Sequence, residues 1–309
     1  MKNILPLFSA LVFPLIVSGC ATQSVYLQNL SVRGPQSQTP LFITKDNVVG
    51  EFTVAPRFSL NDKTPITGRA TGHSDVNAAG VYLVDTVNGN GVTRYIQRNG
   101  INTKTFEGQN FRWDPTTFSA SVDFEYLAAP QIAVVGGVNY SGGSSQQFVG
   151  ANAGVGFLFE GKHLATRVDV GAHWNSILYD VEYVVTTTPL SLGPKETEVA
   201  FFHNSGRASH VNAYGAFTIN SKAASWPVQF FAQFAITRQT VVEIDAGSFN
   251  RESTALSSLS FFMITPGLYF ELSPGSRCLL GVQLRDETEL LVGDPGLLVS
   301  PFVQFEFKL

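Results

Sequence analysis

Two histidines and two serines lie close together in one stretch of this sequence, and two acidic residues lie in the stretch before it. The set consists of His203, His210, Ser205, Ser209, Asp180 and Glu182. A serine, a histidine and an acid can act as nucleophile, base and the group that orients the base. No longer catalytic signature surrounds these residues, and serine is common in loops of this kind. We therefore expect a protein that is not an enzyme.

The spacing of the remaining residues predicts neither a metal site nor a phosphate-binding loop. No cysteines and histidines have the separation of a zinc site. The glycines at Gly136-Gly137 and Gly154/Gly156 are not followed by a helix, so they do not predict a phosphate loop. They more readily relieve crowding or permit curvature in strands. We therefore expect no cofactor and no metal.

The elements that carry the charged residues alternate between apolar and polar side chains, as strands do. In the C-terminal stretch one face carries Val299, Pro301, Val303, Phe305, Phe307 and Leu309. The other face carries Leu298, Ser300, Phe302, Gln304, Glu306 and Lys308. An apolar stripe that reaches the end of a chain is unusual in soluble proteins, whose termini fray into water. The stripe is explained if it faces lipid and its strand closes a barrel against the first strand.

This C-terminal pattern resembles the last strand of bacterial outer-membrane β-barrels, which ends in alternating apolar and aromatic residues. Phe305, Phe307 and Leu309 match that pattern, with leucine where the family more often has phenylalanine. The resemblance implies a protein of the Gram-negative cell envelope. It also implies two partners, the lipid of the outer membrane and the barrel-assembly machinery, which reads the C-terminal strand.

The composition favours a membrane barrel over the other common classes. Charged residues make up 14% of the chain, against about 25% in a typical soluble domain. No run of about 20 apolar residues follows the N-terminus, as a helical membrane protein would require. The net charge of −4 provides no basic surface for nucleic acid. A secreted β-sandwich shares the alternating pattern and is the alternative.

About ten alternating stretches follow one another, separated by turn residues. They are 48–60, 116–127, 131–141, 147–160, 163–187, 198–220, 227–246, 257–272, 276–292 and 297–309. We therefore predict an all-β fold, a closed antiparallel up-and-down transmembrane β-barrel of about 10 strands. Twelve is the alternative, because residues 61–115 could add a pair. Alternation slips near Asn175-Ser176, which predicts a β-bulge.

The connections sort into short turns and longer loops, which predicts short turns in the periplasm and long loops outside. Both the N- and C-termini are then expected in the periplasm. Residues 61–115 are rich in Gly, Asn, Thr and Asp and are predicted to form a long external loop. A hairpin inside this loop is predicted at Asn88-Gly89-Asn90-Gly91.

The polar faces of the strands are predicted to line a narrow interior, since about eight strands are just filled by side chains. Charges of both signs would pair there, because an unpaired buried charge is costly. The predicted network comprises Glu51, Arg57, Asp123, Glu125, Arg167, Asp169, His173, Arg277, Arg285 and Glu306. We expect this network to plug the barrel. A narrow pore that selects a small solute is the alternative.

The N-terminus reads as an export signal over residues 1–20, with Lys2 followed by an apolar core. Val17-Ser18-Gly19-Cys20 resembles the lipobox of bacterial lipoproteins, which implies that Cys20 becomes the lipidated first residue. An ordinary signal cut nearby is the alternative. Residues 21–47 are polar and are predicted to form a periplasmic tether or plug. The barrel itself is expected over residues 48–309.

These patterns predict a function of the structural or surface-interaction type, or porin-like transport through a narrow pore. Two further alternatives are a secreted, lipid-anchored β-sandwich that binds a partner and, less favoured, an outer-membrane hydrolase.

Overall fold

The computed structural model describes residues 21–36, 38–62, 64–70, 76–78, 87–89, 92–95, 104–106, 110–143, 146–189, 198–222, 227–240, 258–287, 291–292 and 297–309. Its strands are β1 (Ala21–Gly34), β2 (Phe52–Leu60), β3 (Ile66–Ala70), β4 (Val76–Ala78), β5 (Val87–Gly89), β6 (Val92–Tyr95), β7 (Lys104–Phe106), β8 (Asn110–Pro115), β9 (Phe118–Ala129), β10 (Ile132–Gly142), β11 (Gln147–Glu160), β12 (Leu164–Pro189), β13 (Glu198–Ser221), β14 (Gln229–Thr240), β15 (Ser258–Ser273), β16 (Ser276–Glu287), β17 (Leu291–Val292) and β18 (Leu298–Lys308). Over these ranges, no helix is long and apolar enough to cross a membrane.

Ten of these strands form a closed antiparallel barrel. They follow the chain from β2 through β9–β16 to β18, and the ring closes where β18 pairs with β2. The predicted all-β closed barrel is confirmed, with ten strands rather than twelve. The β-sandwich alternative is wrong, because one sheet closes on itself instead of two sheets packing together.

Alternation along each strand explains why the ring closes with polar side chains inside. On β18, Ser300, Gln304 and Glu306 are buried in the interior, while Val299 and Phe307 are exposed on the outside. The same division holds on β2, where Arg57 is buried and Phe58 is exposed. A ring of strands with this pattern has a polar lumen and an apolar outer belt.

The two ends of the barrel differ in their connections. One end, here called the short-turn end, carries the turns at residues 130–131, 161–163, 222–228 and 274–275. The C-terminus closes this end, where the Leu309 amide donates to the Phe52 carbonyl at 2.8 Å. The other end, here called the long-loop end, carries the connection over residues 61–117 and those that follow β10, β12, β14 and β16.

Strands β12 and β13 continue past the barrel at the long-loop end, and the polarity of their faces inverts there. Up to Asn175, β12 has polar side chains inside and apolar ones outside, such as Val170 and Trp174. Beyond this point the inside carries buried Ile177 and Val181, and the outside carries exposed Asp180. The pairing of β12 with β13 is continuous across the inversion.

The predicted β-bulge at Asn175-Ser176 is therefore wrong for this pair of strands. The sequence pattern slips there because the surroundings of the strand change while its pairing register does not. Below the inversion the outward side chains are apolar. Beyond Asn175, on the long-loop side of the inversion, other parts of the chain cover the inward side chains. The inward side chains are apolar there because they are buried in this contact.

The cover is formed by β1, which pairs antiparallel with β12 and parallel with β8. Strand β3 pairs with β8, and β17 pairs with β3, so β1, β8, β3 and β17 lie side by side at the long-loop end in what we call the upper sheet. Leu30, Val32, Ile66 and Trp113 are buried beneath this sheet. The Trp113 ring packs edge-on against Phe261 of the barrel wall at 6.0 Å.

Part of the predicted external loop 61–115 thus belongs to this upper sheet. The predicted hairpin is present, because Gly89 at the end of β5 pairs with Val92 at the start of β6. Strand β6 then pairs with the upper part of β13.

Candidate functional site

Residues 35–47 connect the upper sheet to β2 by running through the barrel lumen. Every side chain from Thr39 to Lys45 is buried. The segment follows the inner face of β18 in the same direction. The Ser300 hydroxyl donates to the Gln36 side-chain carbonyl at 2.9 Å, and the Ile43 amide donates to Glu306 at 3.1 Å. The lumen is thus occupied by the chain's own segment, which we call the lumen segment (residues 36–46).

This path places the two described ends of the chain at opposite ends of the barrel. Ala21 pairs with Pro189 beyond the long-loop end, and Leu309 lies at the short-turn end. Both termini were expected on one side; residues 1–20 lie outside the described residues, so the position of the N-terminus itself stays a prediction. Of residues 21–47, predicted as a periplasmic tether or plug, residues 21–34 form β1 and the residues after them lie in the lumen, so the plug position of the second part fits and the periplasmic placement stays a prediction.

Charged side chains from the wall pair with one another around the lumen segment. Arg57 donates to Gln304 at 2.7 Å and lies 3.6 Å from Asp123. Arg167 of β12 contacts Glu125, which lies two residues from Asp123 on β9, and it lies 2.8 Å from Asp169. Buried ions of opposite sign in contact avoid the cost of an isolated charge.

Towards the short-turn end, Arg277 lies 3.5 Å from Glu306. Glu51, also predicted for the network, lies at this rim, 2.8 Å from Lys308. Near the long-loop end, the buried His173 stacks against Tyr214 at 6.4 Å. Arg285 also lies there and is 5.6 Å from the Phe261 ring centre. The network residues thus line the lumen from one end to the other, and their role as a site stays a prediction.

The apolar part of the site was not predicted from the sequence. Leu41 and Ile43 lie in a buried cluster with wall residues, which are Phe231, Tyr269, Leu279 and Phe302. Phe42 points to the opposite wall, against Ala55 and Val135, with the Arg167 guanidinium 5.2 Å from its ring centre. The sequence signal that could have revealed this pocket is the presence of Phe231 and Phe302 on otherwise polar inward faces.

Two glycines make room for these rings. Gly267 and Gly281 face inward and pair directly across β15 and β16. A Cβ on Gly281 would lie 2.7 Å from Phe302, and one on Gly267 would overlap Phe231. The rings can therefore lie flat against the wall, where they leave space for Leu41 and Ile43. Close packing of this kind is a common reason for glycine inside a strand.

An open cavity of about 530 Å³ lies at the short-turn mouth, where the lumen segment leaves the barrel. Its lining includes Asp46, Glu271, Arg277 and Lys308. The ammonium group of Lys45 donates to Glu271 at 2.8 Å. The mouth thus carries charges of both signs that hold the end of the segment.

The histidines and serines of the upper hairpin are brought together only in part. His203 Nε2 lies 3.1 Å from the Asp180 carboxylate, and Ser205 pairs directly across from Asp180. His210 lies on the other face of β13, so it cannot share a site with His203. The His203 and Asp180 side chains are 54% and 55% exposed, which leaves them open to water rather than in a pocket.

The wall itself carries no metal-binding group among the described residues. In the described part of the chain, no group of three or more His, Cys, Asp or Glu side chains could hold a metal ion. Cys278 shares the outward parity of Leu280 and is covered by the neighbouring Phe270 and Phe305. Cys20 lies outside the described residues, so its lipidation stays a prediction.

Comparisons with known proteins identify no family and give only weak structural similarity. No protein-family model matches the chain, and no curated protein matches it. Among solved structures, the translocator domain of autotransporter NalP from Neisseria meningitidis has a TM-score of 0.34 and 9% identity, over 85% of this chain and 90% of that one.

Two further structures give lower scores. OccD3 (OpdP) from Pseudomonas aeruginosa has a TM-score of 0.25 and 6% identity over 85% and 92% of the two chains. The toluene transporter TbuX from Ralstonia pickettii has a TM-score of 0.26 and 9% identity over 85% and 89%. Scores at this level do not define a shared topology, so the fold assignment rests on the strand pairing of this chain.

Proposed function

We propose that this protein is a bacterial outer-membrane barrel that is closed to solutes and presents its N-terminal strand and upper sheet at the cell surface. The observation that carries the proposal is the lumen segment. It occupies the interior of a ten-stranded ring and leads to β1 at the long-loop end. A surface-interaction role therefore fits better than transport through a narrow pore.

The outer belt supports insertion in a membrane. Large apolar side chains are exposed around the ring, for example Val138, Phe230, Leu268 and Leu280. Soluble monomers rarely expose apolar patches beyond a few hundred Å². The belt ends on β12 and β13 where the outward residues become polar, above Trp174 and Val211. This level corresponds to one membrane surface.

The connections support the orientation. Short turns lie in the periplasm and long loops outside in barrels of the outer membrane. With this orientation Leu309 faces the periplasm, and Ala21 lies outside the cell. The upper sheet, with the long hairpin of β12 and β13, is then the part of the molecule that can meet an external partner.

The same geometry determines how far the predicted lipid on Cys20 would lie from the membrane. Between Asn175 and Pro189, β12 rises roughly 45 Å along its length, at about 3.3 Å per residue. Ala21 pairs with Pro189, so a lipid on the preceding residue would lie far from the membrane surface at the rim of this barrel. Labelling with radioactive palmitate, compared between the wild-type protein and Cys20→Ser, tests the lipid directly.

Two measurements test the proposed function. Planar-bilayer recording of the purified protein should show no steady conductance, because the lumen segment excludes ions. An epitope tag placed directly after Ala21 should be reached by antibody on intact cells, whereas a tag after Leu309 should not. Steady conductance would favour the narrow pore, and an N-terminal tag that becomes accessible only after outer-membrane permeabilisation would refute surface presentation.

A further inference from the structure

Side chains of the barrel wall bind the main chain of the lumen segment. Strands of a closed barrel bond to both neighbours, so their backbone groups are already paired and only side chains can bind the segment. Arg57 donates to the Thr39 carbonyl at 3.2 Å, and Gln233 donates to the Pro40 carbonyl at 2.8 Å. These hydrogen bonds require an extended backbone and do not by themselves select a sequence.

The same pattern continues to the end of the segment. Gln304 donates to the Leu41 carbonyl at 2.6 Å, and Arg277 donates to the Ile43 and Lys45 carbonyls at 3.1 and 2.8 Å. Asn220 donates to the Thr44 carbonyl at 3.0 Å and accepts from the Thr44 amide at 3.3 Å. Side chains from several strands thus replace the partners that a neighbouring strand would supply.

The apolar side chains fix the register of the segment. Leu41 and Ile43 enter the pocket with Phe231 and Phe302, and Phe42 enters the pocket on the opposite wall. A shift of one residue would exchange the two faces, as in any extended chain. Lys45 then reaches Glu271 at the mouth. The lumen therefore selects a peptide with three consecutive apolar residues, such as Leu41 to Ile43, and with a lysine two positions after the last of them.

The covalent link between the lumen segment and β2 lies outside the lumen. It passes through Val48, Val49 and Gly50 at the short-turn end, and all three are exposed. The Gly50 amide donates to Leu127, but the side chains of Val48 and Val49 lie outside the lumen.

We infer that the lumen is a peptide-binding site, which takes an extended peptide of the pattern Leu41–Lys45 and retains its own segment as a non-covalent ligand when the chain is cut. This inference deepens the proposed closed barrel, because it explains what keeps the lumen closed. The occupant is this chain's own segment, and a synthetic peptide of residues 36–49 is the probe that can replace it.

The test uses the full chain with a protease recognition sequence inserted between Val48 and Val49. The folded protein is cut in detergent and passed through a gel-filtration column. The N-terminal fragment should co-elute with the barrel and separate from it only in denaturant. Loss of the fragment from a barrel that still migrates as folded on an unheated gel would overturn the inference.

Matched variants separate the lumen pocket from general effects. In protein cut on both sides of residues 35–48, at Gly34-Pro35 and at Val48-Val49, Leu41→Ser together with Ile43→Ser should weaken retention of this peptide more than about tenfold, since two buried side chains lose their pocket. Gly281→Val should act through the wall instead, by displacing Phe302. Val48→Ser is the control, because Val48 is exposed, and it should leave retention unchanged. Equal retention in all three variants would overturn the pocket assignment.

A fragment that also pairs through β1 could be retained by the upper sheet alone. A second cut, at a recognition sequence inserted between Gly34 and Pro35, removes that connection and leaves residues 35–48 as a free peptide. This peptide should still co-elute, and fluorescently labelled synthetic peptide of residues 36–49 should bind after it is displaced. A control peptide with Leu41, Phe42 and Ile43 moved to its end should not bind.

These outcomes are independent of the proposed surface role. If the N-terminal tag proves inaccessible on cells but the cut fragment is retained, the surface role fails and the peptide site stands. If the fragment leaves and the tag is accessible, the peptide site fails alone.

Discussion

At the scale of single residues, Arg277 links the barrel wall to the lumen segment. Its guanidinium donates to two carbonyls of the segment and pairs with the carboxylate of Glu306. Glu306 in turn accepts from the Ile43 amide. Each group therefore depends on the other, because burial without a partner costs several kcal/mol per ion.

Replacing Arg277 with methionine should lower the free energy of unfolding by about 3–5 kcal/mol, since Glu306 is left as an uncompensated buried charge. The measurement is equilibrium unfolding of protein refolded into lipid vesicles. Arg112→Met is the control, because Arg112 pairs with Asp114 on the exposed surface of the upper sheet. This control should unfold at the wild-type midpoint. Equal effects of the two changes would contradict a buried role for Arg277.

Most of the predicted network could be placed from the sequence because parity along a strand decides which side chains point inward. Arg57, Asp123 and Arg167 are inward by this rule, and the structure buries them. Parity carries no information about what fills the space between opposite walls. The sequence therefore predicted residues 21–47 only as a periplasmic tether or plug, and it did not predict the pocket of Phe231 and Phe302.

Strand β12 shows at the scale of elements how one strand serves two environments. Its lower part faces a polar lumen and an apolar exterior, and its upper part has the reverse arrangement. A bulge also breaks the alternation of a sequence, so the sequence alone could not distinguish a shift in register from a change in surroundings. The unbroken pairing with β13 makes that distinction.

The level of the inversion can be measured with one charge placed at two heights. Val170→Arg puts a cation on the outward face within the apolar belt and should cost about 2–4 kcal/mol of stability in vesicles. Ser205→Arg puts the same side chain on the outward face of the paired strand above the inversion, across from Asp180. It should leave the unfolding midpoint unchanged. Equal costs at the two positions would mean that the apolar belt does not mark the membrane.

At the scale of the whole molecule, the count of ten strands followed from the sequence because each strand repeats the same simple pattern. The upper sheet did not follow from it. Strand β1 lies far from β12 in sequence. The path of the chain through the lumen determines which strands β1 pairs with. Such a path depends on contacts between distant residues, which no local pattern specifies.

Strand β18 closes the ring, and its contribution to stability can be tested separately from its predicted recognition by the barrel-assembly machinery. The Leu309 amide closes the ring on Phe52 through the main chain, while Leu309 as a residue is 78% exposed. Leu309→Ser should therefore leave the unfolding midpoint of protein refolded in vitro unchanged. If the machinery reads the outward apolar residues of β18, the same variant should lower the amount of folded barrel in cells severalfold, as judged by heat-modifiable migration of the membrane fraction.

Leu60→Ser is the control, since Leu60 is 68% exposed on the neighbouring strand at the other end. Equal cellular levels of the two variants would show that the C-terminal residue is not read.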